Sequence, residues 1–230
     1  MELRQALRTT GAVREFTGEA VSDEVLYEIL DTARFAPSGG NRQAWRTIVV
    51  KSPELRVALR DLYLDGWYDY LALSRAGLVA WAPITDREAE RAALRDVPRD
   101  AGPRAGFAEH LDKVPALVVV LADLRRLAAM DRDLERYSIA GGASVYPFVW
   151  NVLLAAREHG LGGVITTMLI RKEDRVRELL GVPEEFAVAA VLALGHPVRQ
   201  ITRLRREPVE GFATLDRFDG SPFTAEGPGA

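Results

Sequence analysis

Apolar positions recur at helical spacing through the first third of the chain. Val25, Leu26, Ile29, Leu30 and Ala33 form one stripe, which predicts an amphipathic helix. Ser22 is its expected N-cap, with Asp23 and Glu24 in the first turn where the helix dipole favours acids. Pro37 stops it. Leu3 to Arg8 reads as a short helix broken by Thr9-Thr10-Gly11, and Val13-Arg14-Glu15-Phe16 follows as an extended or turning segment. Trp45 to Lys51 has the β-branched character of a strand. Ser52-Pro53-Glu54 then starts a helix with Pro at its first position, burying Leu55, Leu59 and Leu62.

The pattern weakens from Gly66 to Lys113, a largely helical stretch with breaks at Pro83, Pro98 and Gly102-Pro103. Ala116 to Ala122 is continuously apolar and should be a central strand covered on both faces. Ser138 to His159 is the longest helical pattern, apolar nearly all round through Ile139, Ala143, Val149, Trp150, Leu153 and Leu154, which implies burial in the domain or at a subunit contact. Pro147 predicts a kink or a late start there, and Gly160 a C-terminal cap. Gly162 to Met168 reads as a glycine-led strand, Arg171 to Leu180 as a short helix ended by Gly181, and Phe186 to Gly195 as another buried strand closed by Pro197-Val198.

Composition narrows the function classes. The 230 residues suit one large domain or two small ones, enough to bury roughly 70% of the unfolded surface. A formal net charge of -3 argues against a general nucleic-acid binder. There are no cysteines, which removes disulfides and thiolate chemistry together, and His110, His159 and His196 lack metal-ligand spacing. Met1-Glu2-Leu3-Arg4 has no signal-peptide core, and the longest apolar run, Phe186 to Leu194, is too short for a bilayer. The expectation is a cytoplasmic protein with no membrane partner. Gly220 to Ala230, rich in Gly and Pro, reads as a loose tail.

The candidate chemistry concentrates between the first long helix and the first strand. Ala36-Pro37-Ser38-Gly39-Gly40-Asn41-Arg42-Gln43-Ala44-Trp45 packs uncharged polar groups, an Arg and a Trp into one connection. Adjacent glycines let a ligand approach the backbone, and Ser38, Asn41 and Gln43 both donate and accept hydrogen bonds. That suits a flat heteroaromatic ring; it equally suits a polar turn. Arg199, Arg203, Arg205 and Arg206 cluster near the C-terminus, either as a solvated basic edge or as an anion site completed by Arg14. Trp67, Tyr68, Tyr70, Trp81 and Phe107 could wall a pocket or fill core.

These stretches, in this order, resemble the FMN-dependent nitroreductase family, also called the nitro/flavin reductase superfamily, from about Leu3 to Phe218. Pro37 to Trp45 is similar to the family's Pro-Ser-x-x-Asn-x-Gln-Pro-Trp signature, with Ala44 in place of the usual Pro. Val13-Arg14-Glu15-Phe16 resembles the end of an Arg-Arg-Ser-x-Arg-x-Phe motif, in which Thr10-Gly11-Ala12 replaces Arg-Arg-Ser. One phosphate-binding Arg expected there is absent, with Arg8 as its stand-in. Gly160-Leu161-Gly162-Gly163 resembles the Gly-Leu-Gly turn, and Arg206-Glu207-Pro208-Val209 the late basic-x-Pro motif.

The resemblance implies an α+β fold with a central mixed or antiparallel sheet flanked by helices, one domain over residues 1–220, a lid or insertion at 66–113 and a tail at 221–230. It implies an obligate homodimer in which Thr202 to Phe218 reaches across the partner. FMN would be the cofactor and NADH or NADPH the donor. Arg14 and Arg206, with Arg203 or Arg205, would meet the FMN phosphate. Ser38, Asn41 and Gln43, with Gly39 between them, would hold the ring edge and ribityl chain. Backbone N–H groups near Ile165, Thr166 and Thr167 would face flavin N5. Hydride would pass to an electron-poor small molecule: a nitroaromatic, a quinone or a flavin. The alternatives are an FMN-binding or storage protein of the same fold, and an α/β protein binding another phosphorylated ligand at the Arg cluster.

Overall fold

The computed structural model describes residues 1–99 and 106–226. The expected break at Gly102-Pro103 and the last four residues of the tail lie outside them. Six helices, α1 (Leu3–Thr9), α2 (Asp23–Ala33), α3 (Pro53–Arg75), α4 (Arg87–Ala93), α5 (Tyr146–Glu158) and α6 (Glu173–Leu180), surround four strands among the described residues. The strands are β1 (Trp45–Val49), β2 (Ala116–Asp123), β3 (Gly162–Thr166) and β4 (Phe186–Gly195). They form one sheet of order β1-β2-β4-β3 in which every pair is antiparallel.

The two apolar runs are the two inner strands, and every residue of β2 is buried. Period-two alternation divides them between two cores. Val118 and Val120 face α2 and α5, packing with Ile29, Val149 and Val152. Leu117, Val119 and Leu121 face α3 and α6, packing with Leu59, Leu169 and Val176. The α2 cap forms as its sequence dictates: Ser22 Oγ accepts the Val25 N–H at 3.2 Å.

β4 carries a bulge that its apolar run conceals. Val120 pairs with Ala190 but Leu121 pairs with Val188, so Ala189 is an extra residue. The alternation slips there. Phe186 and Val188 face the α3 side, yet so do Val191 and Ala193. The polar groups freed by the bulge are both satisfied from helices: the Val188 N–H donates to Glu173 Oε1, and Tyr146 Oη–H donates to the Ala189 carbonyl at 3.2 Å.

Three expectations need correction. The longest helix is α3 with 23 residues, because the chain stays helical straight through Gly66 to Arg75. The Ser138 to His159 pattern instead divides into a 3₁₀ turn, Ala140–Ser144, and α5, with Pro147 in its first turn. Pro147 gives the late start that its missing N–H requires. The stretch after Gly220 is tied down at its beginning, since Phe223 N–H donates to the Ala213 carbonyl and Thr214 bridges Pro222. No helix among the described residues is long and apolar enough to cross a membrane.

Candidate functional site

The loop before β1 is built around left-handed backbone. Gly40, Asn41 and Gln43 have φ of 60°, 53° and 48°. Local hydrogen bonds hold this conformation: Ser38 Oγ accepts the Gln43 N–H at 2.9 Å, and the Gln43 side-chain amide donates to Asn41 Oδ1 at 3.3 Å. Ser38, Asn41 and Gln43 are therefore brought together, and most of the loop is exposed. Trp45 anchors its base by stacking on Phe148 of α5, with ring centroids 5.0 Å apart. Gly39 N–H donates to Ser144 Oγ at 3.0 Å, tying the loop to the turn before α5. A cavity of about 350 Å³ lies alongside, lined by Ser38, Gly39, Met130, Ala140 and Ser144.

Asp131 holds that turn. Its buried carboxylate accepts Ser138 Oγ–H and Ile139 N–H, each at 2.7 Å, the Ala140 N–H at 3.2 Å and the Arg136 guanidinium at 2.7 Å. The Ile139 N–H, then the Ser138 hydroxyl, hold the carboxyl well below the usual aspartate range. A depressed folded value means that its stabilisation is complete above the ordinary value of about 3.9 and is lost as pH falls through the lower one. Asp131→Asn is expected to lower the melting temperature at pH 7 and to flatten the fall between about pH 4 and pH 2. Parallel acid profiles for the two proteins would remove Asp131 from this role.

A second group gathers at the opposite edge of the sheet. Arg14 follows the buried Val13, whose N–H donates to the Gly163 carbonyl at 2.8 Å beside β3. Phe16 bridges Pro197 just after β4. This double pairing sets Arg14 and Arg199 on one open cleft of about 230 Å³, together with Glu15 and Ile201. Gly11 permits the close approach: a Cβ there would lie 2.8 Å from Leu204 Cδ2 and 3.0 Å from Ile201 Cδ1. The basic segment after β4 thus lies directly on the position where an Arg was absent from the motif.

Thr166 ends β3, and its Oγ1 lies 3.1 Å from Tyr63 Oη on α3. Burial pushes the Tyr63 phenol up from the usual tyrosine value; the Thr166 hydrogen bond and the Arg14 charge act the other way. Tyr63 stacks on Trp67 at 6.5 Å, Trp67 on Tyr70 at 5.3 Å, and Phe107 meets Tyr63 edge-on at 6.2 Å. Tyr68 is buried, and Trp81 instead lies under Arg171, 4.7 Å from its ring centroid. Tyr63 was not among the residues singled out from sequence. Its spacing with Trp67 and Tyr70, four and then three residues, is the signal that could have found it.

The sequence candidates therefore fall into two groups. Ser38, Gly39, Asn41 and Gln43 sit before β1; Arg14 and Ile165, Thr166 and Thr167 sit at β3. These strands are opposite edges of the sheet, three inter-strand spacings or about 14 Å apart. Arg203 and Arg206 are exposed, and the Arg206 guanidinium donates to the Arg205 carbonyl at 2.7 Å. Arg199, from the same cluster, is the one that shares the cleft with Arg14. Arg8 is exposed on the last turn of α1, while Thr10 is buried and bonds back to the Ala6 carbonyl.

Comparison with known proteins identifies the family and the fold. The NADH dehydrogenase of Thermus thermophilus is 30% identical over 212 residues, covering 91% of this chain and 94% of that protein. Among solved structures, the NADPH:FMN oxidoreductase of Vibrio harveyi, complexed with NAD+, has a TM-score of 0.63 at 21% identity, covering 94% of this chain and 77% of its own. An iodotyrosine deiodinase bound to FMN and 3-iodo-L-tyrosine has a TM-score of 0.66 at 22% identity, covering 94% and 100%. These two structures share the fold. The family model described as "Nitroreductase family" matches residues 7–196, and by that match the chain belongs to the nitroreductase family.

Proposed function

We propose that this protein is an FMN-dependent oxidoreductase that passes hydride from NADH or NADPH to an electron-poor small molecule such as a nitroaromatic, a quinone or a flavin. The observation that carries this reading is the cleft shared by Arg14 and Arg199 beside β3, with the Arg14 charge felt by Tyr63, which bonds Thr166 at the end of that strand. The donor set fits FMN. Two guanidiniums on one cleft suit a phosphate. The mixed amide and hydroxyl groups of Ser38, Asn41 and Gln43 suit the polar edge of the ring. When bound, FMN supplies the two-electron chemistry, and the protein supplies position and electrostatics.

In this reading Arg14 and Arg199 neutralise the phosphate, with Arg203 or Arg206 joining them. The backbone N–H groups of residues 165–167 and the Thr166 hydroxyl stabilise charge arriving at the ring. Trp67 and Tyr70 offer a flat apolar wall to a planar acceptor. Two copies of the chain make the complete site, since one copy holds its two groups at opposite sheet edges. A largely apolar cavity of about 710 Å³ beside Ile139, Tyr146 and Trp150 supports burial of this face against a second copy. The domain is read as residues 1–220, and its setting as cytoplasmic.

The test is the visible spectrum of the purified protein with FMN, taken before and after anaerobic addition of NADH or NADPH. Bleaching on adding donor and recovery on adding a quinone are expected. A yellow protein that neither nicotinamide bleaches is a storage protein. One that stays colourless with added FMN sinks the flavin reading.

A further inference from the structure

α3 approaches the end of β3 unusually closely. A Cβ at Gly66 would lie 3.0 Å from both Cγ and Sδ of Met168 and 3.3 Å from its carbonyl oxygen. A Cβ there would need the Met168 side chain to give by a few tenths of an ångström. Tyr63 lies three residues earlier, so it shares the helix face turned toward that segment. Its side chain is only 3% exposed, packed against Trp67 and Phe107. The hydroxyl is the polar exception in an apolar setting, and among the described residues Thr166 Oγ1, at 3.1 Å, is its hydrogen-bond partner.

Either oxygen could donate in this contact, and burial of the phenol favours one direction. A phenol in an apolar environment keeps its proton at neutral pH and has to donate it somewhere. Thr166 Oγ1 is the acceptor within reach. The Met168 N–H approaches the same oxygen at 3.5 Å. A threonine hydroxyl has two lone pairs and one proton. With both lone pairs facing protein donors, its own proton is left for a third partner outside them.

We infer that Tyr63 is a positioning residue, which orients the Thr166 hydroxyl as a hydrogen-bond donor toward the ligand held beside Arg14. The inference rests on the proposed flavin site. A donor fixed before electrons arrive stabilises the electron-rich reduced ring more than the oxidised one. Tyr63 therefore acts on the cofactor's redox balance without touching it. Without the phenol, the threonine proton is free to turn back toward protein acceptors.

The experiment compares the midpoint potential of bound FMN, and the affinity for oxidised FMN, in wild type, Tyr63→Phe, Thr166→Val and the double variant. Tyr63→Phe is expected to bind oxidised FMN within about threefold of wild type. Its preference for reduced over oxidised FMN should fall three- to tenfold, a drop of roughly 14–30 mV for a two-electron couple. Thr166→Val should show a drop at least as large, Thr166→Ser should restore the wild-type value, and adding Tyr63→Phe to Thr166→Val should change nothing further. Equal potentials in wild type and Tyr63→Phe overturn the inference while leaving the flavin site standing. So does a Tyr63→Phe effect that persists in the Thr166→Val background. If Tyr63→Phe does not fold, the serine and valine variants decide: a Thr166→Val protein with wild-type potential overturns it. A wild-type protein that binds no FMN removes the flavin reading and this inference together.

Discussion

Arg14→Ala is expected to weaken FMN binding roughly ten- to hundredfold, because one charge-assisted hydrogen bond is worth about 1.5–3 kcal/mol. The fold should survive. Arg14 is exposed, while the neighbouring Val13 carries the buried side chain and the backbone bond to Gly163. Exposed substitutions of this kind usually change stability by no more than about 0.5 kcal/mol. Titration of the apoprotein with FMN at two salt concentrations checks both the size and the cause. A contact between a guanidinium and a phosphate near the surface is screened by salt, so the variant should show a shallower salt dependence than wild type. Arg199→Ala should behave similarly, since both side chains line one cleft. A silent Arg199→Ala beside a damaging Arg206→Ala would instead place the phosphate on the later arginines, as the sequence motif implied. Unchanged affinity in Arg14→Ala would remove the phosphate from this end of β3 altogether.

Leu59→Ala is expected to cost about 2–5 kcal/mol, a large share of the 5–15 kcal/mol that typically separates folded from unfolded domains. Leu59 is fully buried in the cluster that joins α3 to Leu111, Leu169 and Val176. Deleting its branched end leaves a void bounded by the central sheet, which is too constrained by its ladder to collapse. Tyr63 lies one turn further along the same helix, so loosening α3 should also loosen the Tyr63–Thr166 contact. Urea unfolding gives the stability loss, and flavin retention during gel filtration reports the coupled effect. A loss below about 1 kcal/mol would mean that α3 is held mainly by other contacts.

Much of the fold was legible because local pattern reports local burial. The stripe from Val25 to Ala33 and the cap at Ser22 needed no distant partner to be read. The run from Ala116 to Ala122 had to be an inner strand, since nothing polar could face water. The loop from Ser38 to Gln43 was visible by composition alone, and Arg14 by its place in a motif. In each case the residues concerned are within a few positions of one another.

Other features were decided only when distant segments met. The bulge at Ala189 is invisible in an unbroken apolar run, because either parity of that run reads as buried; only pairing with β2 reveals the extra residue. The separation of the two candidate groups came from strand order, which places β1 and β3 at opposite edges. Selection of Arg199 from four clustered arginines followed from the Phe16–Pro197 bridge, and periodicity has no access to such a pairing. Tyr63 and Thr166 stand 103 positions apart. The chain by itself determined its elements, its buried strands and the polar loop before β1, because these follow from short-range sterics and hydrophobic period. Register, edge order and the partner of each polar group were settled by tertiary packing, where the approach of one backbone to another, as at Gly11 and Gly66, decides which side chains can meet.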